Sequence, residues 1–199
     1  MSFGDWTEIQ TSGGSWFPLP SGAQFTTNSN STPQSFLVRA SGTIAGTLSV
    51  TLKTGSIGGS TGEAGIIFLL KSSTYTSANC YALTLQTVNN NYHLRKYTDG
   101  VQAELFDHPT VGVASAFTNT TTLSALWIVD ETRFSGTFIQ VAANTGALYT
   151  IIDTVNPHVT TVAQGLAFFG QAIGAVNATS AVFASCIFAT LSATALFVP

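Results

Sequence analysis

In the segment YALTLQ, residues 81–86, the large side chains Tyr81, Leu83 and Leu85 alternate with smaller or polar ones. The segment LSVTLK, residues 48–53, repeats this alternation. Successive side chains of a β-strand point to opposite faces, so a period of two places one set on a core and the other towards solvent. The two segments therefore predict strands of a sheet that buries one face.

Further runs with strand character occur along most of the chain. They lie at residues 36–39, 65–70, 92–97, 123–130, 133–141, 148–153, 166–169 and 181–191. Turn-forming sequences separate them, among them Thr98-Asp99-Gly100, Asn89-Asn90-Asn91 and Asn144-Thr145-Gly146. Many short strands joined by such turns are typical of a β-sandwich or barrel. One short segment, residues 112–117, is the candidate helix.

Length and composition indicate one domain with an unusual surface. No linker-like tract interrupts residues 1–199, and residues 1–34 are predicted to form an N-terminal arm and the first strands. Charged residues make up 8% of the chain, against about 25% in ordinary soluble domains. A surface this neutral favours burial against other subunits, because free monomers usually rely on charge for solubility. The alternative is a Ser/Thr-rich secreted or viral protein whose hydroxyls face water.

Charge and hydropathy exclude two kinds of partner. The net charge is -3 and the six basic residues are scattered, so no basic surface is expected to bind nucleic acid. Residues 165–199 are apolar, but polar residues recur among them and no uninterrupted run of about 20 apolar residues exists. We therefore expect no membrane helix there. The N-terminal segment MSFGDW lacks the features of a signal peptide.

The two cysteines, Cys80 and Cys186, each lie in an apolar run with strand character. The prediction is two buried free thiols, since cysteine packs as a small hydrophobic residue. A disulfide remains open if their strands are neighbours.

The central part of the chain resembles the concanavalin A-like lectin and glucanase superfamily, including LamG-type jelly rolls. The hairpin formed by residues 65–70 and 79–85, the strand 92–97 with its Asp99-Gly100 turn, and the later segments 126–129, 136–141 and 164–170 carry the resemblance. It spans about residues 35–190 and implies an all-β, two-sheet antiparallel jelly-roll sandwich. Such domains are frequent in bacteriophage virion proteins, which the resemblance therefore suggests.

Catalytic and metal motifs are absent from the sequence pattern. Glucanases of this superfamily carry Glu-x-Asp-x-Glu on one strand, and this chain has no such arrangement. Glu104, Asp107 and His108 are the only small acidic cluster and are predicted to lie in a solvated loop. His93 is predicted on a sheet surface, and the three histidines lack metal-ligand spacing. We expect no catalytic residue, metal or cofactor.

Asp130 and Glu131 are adjacent, so on a strand they point to opposite faces and do not form a catalytic pair. We expect them to open the turn that leads to Arg133.

Aromatic residues supply the candidate contacts. Sugar rings often stack on exposed aromatic side chains of the proteins that bind them. The candidates for such stacking are Trp16, Tyr75, Tyr92, Tyr97 and Tyr149. Trp127 lies in a strongly apolar run and is predicted to be core. The candidate contact residues for a subunit interface or a glycan are Trp6, Trp16, Phe17, Tyr75, Tyr97 and Phe197.

These observations predict a non-catalytic virion structural protein. The favoured role is a capsid decoration or cement protein that contacts the major capsid protein or other virion subunits. A homo-oligomer, plausibly a trimer, fits the neutral surface. The alternative is a phage tail or surface adhesin that binds a host glycan.

Overall fold

The computed structural model describes residues 5–10, 14–20, 22–27, 34–53, 63–71, 79–86, 91–109, 121–144, 147–169 and 179–191. These residues form fourteen strands and no helix. The strands are β1 (Trp6–Gln10), β2 (Gly14–Leu19), β3 (Gly22–Thr27), β4 (Gln34–Ala40), β5 (Ala45–Lys53), β6 (Glu63–Leu70), β7 (Cys80–Gln86), β8 (Asn91–Thr98), β9 (Val101–Pro109), β10 (Thr121–Asp130), β11 (Gly136–Ala143), β12 (Tyr149–Asp153), β13 (Ala163–Phe169) and β14 (Thr179–Thr190).

The strands form two antiparallel sheets of seven strands each. Sheet A has the order β1-β4-β13-β6-β7-β8-β9, and sheet B has the order β12-β11-β10-β5-β14-β3-β2. The all-β jelly-roll prediction is therefore confirmed. Residues 112–117, the candidate helix, lie outside the described residues.

The main core lies between the sheets and follows the period-two pattern. On β7, Tyr81, Leu83 and Leu85 face this core, while Cys80 and Ala82 belong to a second apolar cluster on the outer face of sheet A. Phe68 stacks on Trp127 with ring centroids 5.0 Å apart, which joins the two sheets at their centre. Trp127 is thus a core residue, as its apolar surroundings in the sequence predicted.

The predicted strand runs coincide with observed strands, with two differences. The run 133–141 begins only at Gly136, because residues 131–135 form a turn in which the Arg133 amide donates to Asp130 Oδ1 over 2.8 Å. The prediction of a turn after Asp130 is therefore confirmed. The Asp99-Gly100 turn predicted a strand after it but gave that strand no bounds, and the acidic residues of this strand, β9, were wrongly assigned to a loop.

The hairpin between β8 and β9 is fixed by its turn. Asp99 and Gly100 both have positive φ angles, 49° and 80°, which define the tight two-residue turn that Asp-Gly sequences favour. This turn pairs Thr98 with Val101 and sets the register of the whole hairpin.

A bulge then changes the faces of β9. Arg95 is opposite Glu104 while Leu94 is opposite Phe106, so Leu105 is an extra residue on β9. As a result Leu105 and Phe106 both pack towards the main core. Glu104 and Asp107, three positions apart, come to share the outer face.

The cysteines lie in different sheets, Cys80 on β7 and Cys186 on β14, and both are free. The prediction of free thiols is confirmed. Burial raises the pKa of Cys80 to about 12 and that of Cys186 to about 11, so both thiols stay protonated at neutral pH. Residues 165–169 and 179–190 of the apolar C-terminal region are strands, and no described helix is long and apolar enough to cross a membrane.

Candidate functional site

In a chain with few charges, several of them gather on the outer face of sheet A. We call this group the outer cluster; it consists of Glu63, Thr84, Asn91, His93, Arg95, Glu104 and Asp107. Strands β6, β7 and β8 contribute by simple alternation, since the neighbouring residues Ala64, Leu83 and Leu94 face the main core. Strand β9 contributes through the bulge at Leu105.

The inner part of the cluster is a buried ion pair. Glu63 Oε2 accepts a hydrogen bond from Arg95 Nη1 and another, 2.7 Å long, from Thr84 Oγ1. Burial by itself lowers the pKa of Arg95, but the hydrogen bond and charge of Glu63 outweigh it and raise that pKa above its usual range. The guanidinium is therefore charged at every physiological pH.

The outer part of the cluster reaches solvent. His93 Nδ1 lies 3.2 Å from Glu104 Oε2 and 3.4 Å from Asp107 Oδ1. The His93 residue is 4% exposed, whereas the side chains of Glu104 and Asp107 are 42% and 41% exposed. Asn91 Nδ2 donates to Asp107 Oδ1 over 3.1 Å. A buried imidazole thus faces two accessible carboxylates.

Arg95 links the two parts. Its Nε lies 3.5 Å from Glu104 Oε2, within ion-pair range, but it has no hydrogen-bond acceptor among the described residues. The residue is 8% exposed, so this N–H is a buried donor beside the exposed carboxylate of Glu104. An unsatisfied buried donor costs free energy, which a ligand oxygen at this position removes.

The cluster offers both donors and acceptors beside an excess of negative charge. Three carboxylates face one guanidinium, so with His93 neutral the formal charge is -2. His93 lies on the outer face of the sheet, as predicted, but it is buried there. The prediction of a loop for Glu104 and Asp107 was wrong, because both lie on strand β9. In a regular strand, residues three positions apart point to opposite faces. Glu104 and Asp107 share a face only because Leu105 is bulged.

A second polar group lies between the sheets, where the edge strands β9 and β12 come together. We call it the seam pair: Lys96 Nζ donates to Asp153 Oδ2 over 2.7 Å and also to the Val155 carbonyl. Tyr81 donates its hydroxyl to the same Asp153 oxygen over 2.6 Å. Burial, followed by this hydrogen bond, raises the pKa of Tyr81 above its usual range.

The seam pair borders a cavity of about 490 Å³, which Leu105, Ile151 and Val155 also line. The polar atoms of Lys96 and Asp153 are already bonded to each other and to the protein. The two charged residues of this cavity are thus already paired, whereas the outer cluster keeps a buried donor without an acceptor, and the outer cluster is the better candidate site.

The structure places most of the predicted contact aromatics inside the fold. Trp16 is 5% exposed and donates its indole N–H to Ser35 Oγ over 2.7 Å, and Tyr97 is 4% exposed. Tyr92 is also buried, and Tyr149 is partly buried against the main core, where its hydroxyl meets His108 Nε2 at 2.6 Å. These rings present no open face for stacking.

The other predicted contact residues differ from one another. Phe17, next to Trp16 on β2, points outward and is 50% exposed. Trp6 is partly buried against the main core. Tyr75 and Phe197 lie outside the described residues. Phe17 alone of the six is a large exposed ring in the described part of the chain.

No protein-family model matches the chain, and no curated protein sequence is significantly similar to it. Solved structures do match its fold. The carbohydrate binding module CBM66 from Bacillus subtilis has 14% sequence identity and a TM-score of 0.63, and the alignment covers 92% of this chain and 94% of that one. The beta-glucanase of Bacillus licheniformis has 12% identity and a TM-score of 0.63, with 96% and 94% covered.

The legume lectin-like domain from Entamoeba histolytica has 13% identity and a TM-score of 0.61, with 94% of this chain and 91% of that chain covered. At such low identity the likeness concerns the fold. This chain is a concanavalin A-like jelly-roll sandwich whose structural neighbours include carbohydrate-binding and lectin-like domains.

Proposed function

We propose that this protein is a non-catalytic carbohydrate-binding module and that the outer cluster on sheet A is its binding site. The observation that carries the proposal is the convergence of Arg95 Nε, Glu104 and Asp107 on one face, with the carboxylates open to solvent. The carbohydrate-binding and lectin-like domains among the structural neighbours support the same class of ligand.

The chemistry of the cluster favours a neutral glycan. Adjacent sugar hydroxyls donate to carboxylate oxygens and accept from amide or guanidinium N–H groups, and the cluster offers both kinds of partner. Its formal charge of -2 repels uronic and sialic acids. We therefore expect neutral hexose or pentose polymers to bind in preference to acidic ones.

The same geometry argues against hydrolysis. A glycosidase needs two carboxyl groups whose surroundings push their pKa values apart, so that one is an acid and the other a base or nucleophile. Glu104 and Asp107 are almost equally exposed and both converge on His93. Glu104 lies beside Arg95 and Asp107 accepts from Asn91, but neither carboxyl group is in the apolar surroundings of a catalytic acid, and binding is the simpler function.

A glycan array tests the proposal. The wild-type protein is expected to retain neutral glycans, and Glu104→Gln and Asp107→Asn to weaken retention about tenfold each, since each removes a charged hydrogen-bond acceptor. Glu131→Gln is the matched control, because it removes the same charge from the exposed turn between β10 and β11. Absence of any retained glycan, or equal retention by all variants, contradicts the proposal.

A contact surface on sheet B supports the second candidate, subunit assembly in a virion. The outer face of this sheet carries cross-strand hydroxyl pairs, Ser49 with Ser124 at 3.0 Å and Thr51 with Thr122 at 3.1 Å. Phe17 and Ile187 project from the same sheet and are 50% and 67% exposed. This face carries neutral hydroxyls instead of the charges that usually keep a free monomer soluble, which favours its burial against another subunit.

Copy number and oligomeric state test this candidate. A decoration role predicts a self-associated protein in solution and, in purified virions, a copy number within a few-fold of the major shell protein. A tail adhesin predicts a handful of copies. A strictly monomeric protein that is absent from particles removes the assembly proposal and leaves carbohydrate binding untouched.

A further inference from the structure

We propose that His93, Glu104 and Asp107 form a binding site for a divalent transition metal ion of the zinc type. One nitrogen and two carboxylate oxygens of these residues all lie within 4.8 Å of one another. Glu104 and Asp107 also belong to the proposed carbohydrate site, and the metal site is therefore tested in the absence of glycan.

The distances between the ligand atoms suit a single ion. Zinc binds imidazole nitrogen and carboxylate oxygen at about 2.0–2.2 Å, so two ligands of one ion stand roughly 3 to 3.5 Å apart. His93 Nδ1 is 3.2 Å from Glu104 Oε2 and 3.4 Å from Asp107 Oδ1. Small side-chain adjustments bring all three within bonding distance of an ion in the space between them.

A hydrogen bond from His93 Nδ1 cannot serve both neighbouring carboxylates, Glu104 and Asp107, at the same time. Nδ1 carries at most one proton, and that proton serves one of the two carboxylates at a time. With His93 neutral, the other carboxylate faces it with no cation between them. A metal ion attracts all three ligand atoms at once.

The charge balance around the cluster also favours a cation. Glu63 is paired with Arg95 in the buried part, so these two charges cancel. Glu104 and Asp107 remain with a combined formal charge of -2, which a divalent ion neutralises. Their exposure of 42% and 41% leaves an open path for the ion from solvent.

The unsatisfied donor of Arg95 is compatible with a metal-bound Glu104. Its Nε lies 3.5 Å from Glu104 Oε2 without a hydrogen bond, and the residue is buried. A carboxylate that gives one oxygen to a metal keeps its second oxygen free to accept a hydrogen bond. Metal binding at Glu104 therefore lets the other oxygen turn to Arg95.

The mixed ligand set indicates which metal is preferred. Calcium and magnesium take oxygen ligands, whereas an imidazole nitrogen suits zinc, copper, nickel or iron. Three protein ligands also leave at least one position of a tetrahedral ion open. We expect Zn²⁺ to bind at one equivalent and Ca²⁺ to bind more weakly.

Isothermal titration of the chelator-treated protein with ZnCl₂, without glycan, tests the proposal. The wild-type protein is expected to bind one Zn²⁺ and to melt at a higher temperature with it. Glu104→Gln and Asp107→Asn are expected to bind at least about tenfold more weakly, since loss of even an indirect partner commonly costs that much. His93→Gln is expected to lose the site altogether.

The controls separate this proposal from folding and from carbohydrate binding. Glu131→Gln should bind Zn²⁺ as the wild type does. If His93→Gln does not fold, the two exposed carboxylate variants still decide the outcome. No heat of binding, or Zn²⁺ binding that all three cluster variants share with the wild type, overturns the metal site. Glycan retention is not a readout here, so failure of either proposal leaves the other to stand on its own test.

Discussion

Arg95 and Lys96 are neighbours on β8, yet they take part in two different kinds of ion pair. Lys96 points between the sheets to the seam pair, where Asp153 also accepts from the Tyr81 hydroxyl and from the Val155 amide at 3.2 Å. Arg95 points to the outer cluster, where one of its donors is bonded to Glu63 and another has no acceptor. One group is complete within the protein and the other is not.

The difference separates a structural group from a candidate binding site. A buried charge is tolerated when its partners satisfy it fully, and the seam pair meets this condition. The outer cluster ends in two solvent-exposed carboxylates and a buried donor without an acceptor, which leaves room for a ligand. If this comparison is correct, variants of the seam pair should affect stability, and variants of the exposed carboxylates should affect binding.

The largest expected effect is that of Lys96→Met. It leaves Asp153 buried without its cation, and breaking one partner of a buried pair typically costs about 3–5 kcal/mol of unfolding free energy. Urea denaturation measures the loss. Lys71→Met, which removes an exposed lysine, is the matched control and should change stability by less than about 0.5 kcal/mol. Equal stability of Lys96→Met and the wild type would show that the seam pair is not structural.

The sequence predicted the fold better than the site, and strand periodicity explains why. Alternation at residues 48–53 and 81–86 is set by burial on one face, so it appears directly in the residue pattern. Asp99-Gly100 likewise specifies its own turn. These local signals predicted a β-sandwich or barrel, and the two-sheet jelly roll followed from the resemblance to concanavalin A-like domains.

The outer cluster depends on features that single-sequence patterns do not report. Its residues come from four strands, and Glu104 and Asp107 share a face only because Leu105 is bulged. The bulge also breaks the alternation of apolar and polar residues along β9, so its acidic residues were interpreted as part of a loop. The outer cluster can be found by a search for histidine and carboxylate residues on adjacent predicted strands, if one bulge is allowed.

An intermediate effect is expected from pH, through His158 beside the seam pair. Its Nε2 lies 2.7 Å from the Tyr97 carbonyl, and its ring meets Tyr81 edge-on at 5.1 Å. Burial lowers the pKa of His158, and the charges of Lys71 and Lys96 lower it further, against the Tyr97 hydrogen bond and the charge of Asp153, which raise it. The folded protein therefore keeps this imidazole neutral below the pH at which the unfolded chain protonates it.

The sign of the pH effect follows from linkage. Above about pH 6.5 the His158 imidazole is unprotonated in both the folded and the unfolded state, so it makes no pH-dependent contribution to stability. Below about pH 6.5 the unfolded chain gains a proton that the folded state lacks. Stability should fall as the pH decreases, by at most about 1.4 kcal/mol per pH unit, until the folded-state pKa is reached. His158→Gln should flatten this dependence in urea denaturation between about pH 7 and 5. An unchanged slope would assign the pH dependence to other groups.

The smallest expected effect on stability is that of Glu104→Gln. Its carboxylate is 42% exposed, so its ion pairs with His93 and Arg95 are screened by water and contribute less than about 1 kcal/mol. Removing one of two adjacent negative charges also relieves repulsion from Asp107, which offsets part of that loss. Urea denaturation should therefore give nearly wild-type stability for a variant whose ligand binding is weakened about tenfold. A loss of 3 kcal/mol or more, about that of a broken buried pair, would instead make the exposed carboxylate as structural as the seam pair.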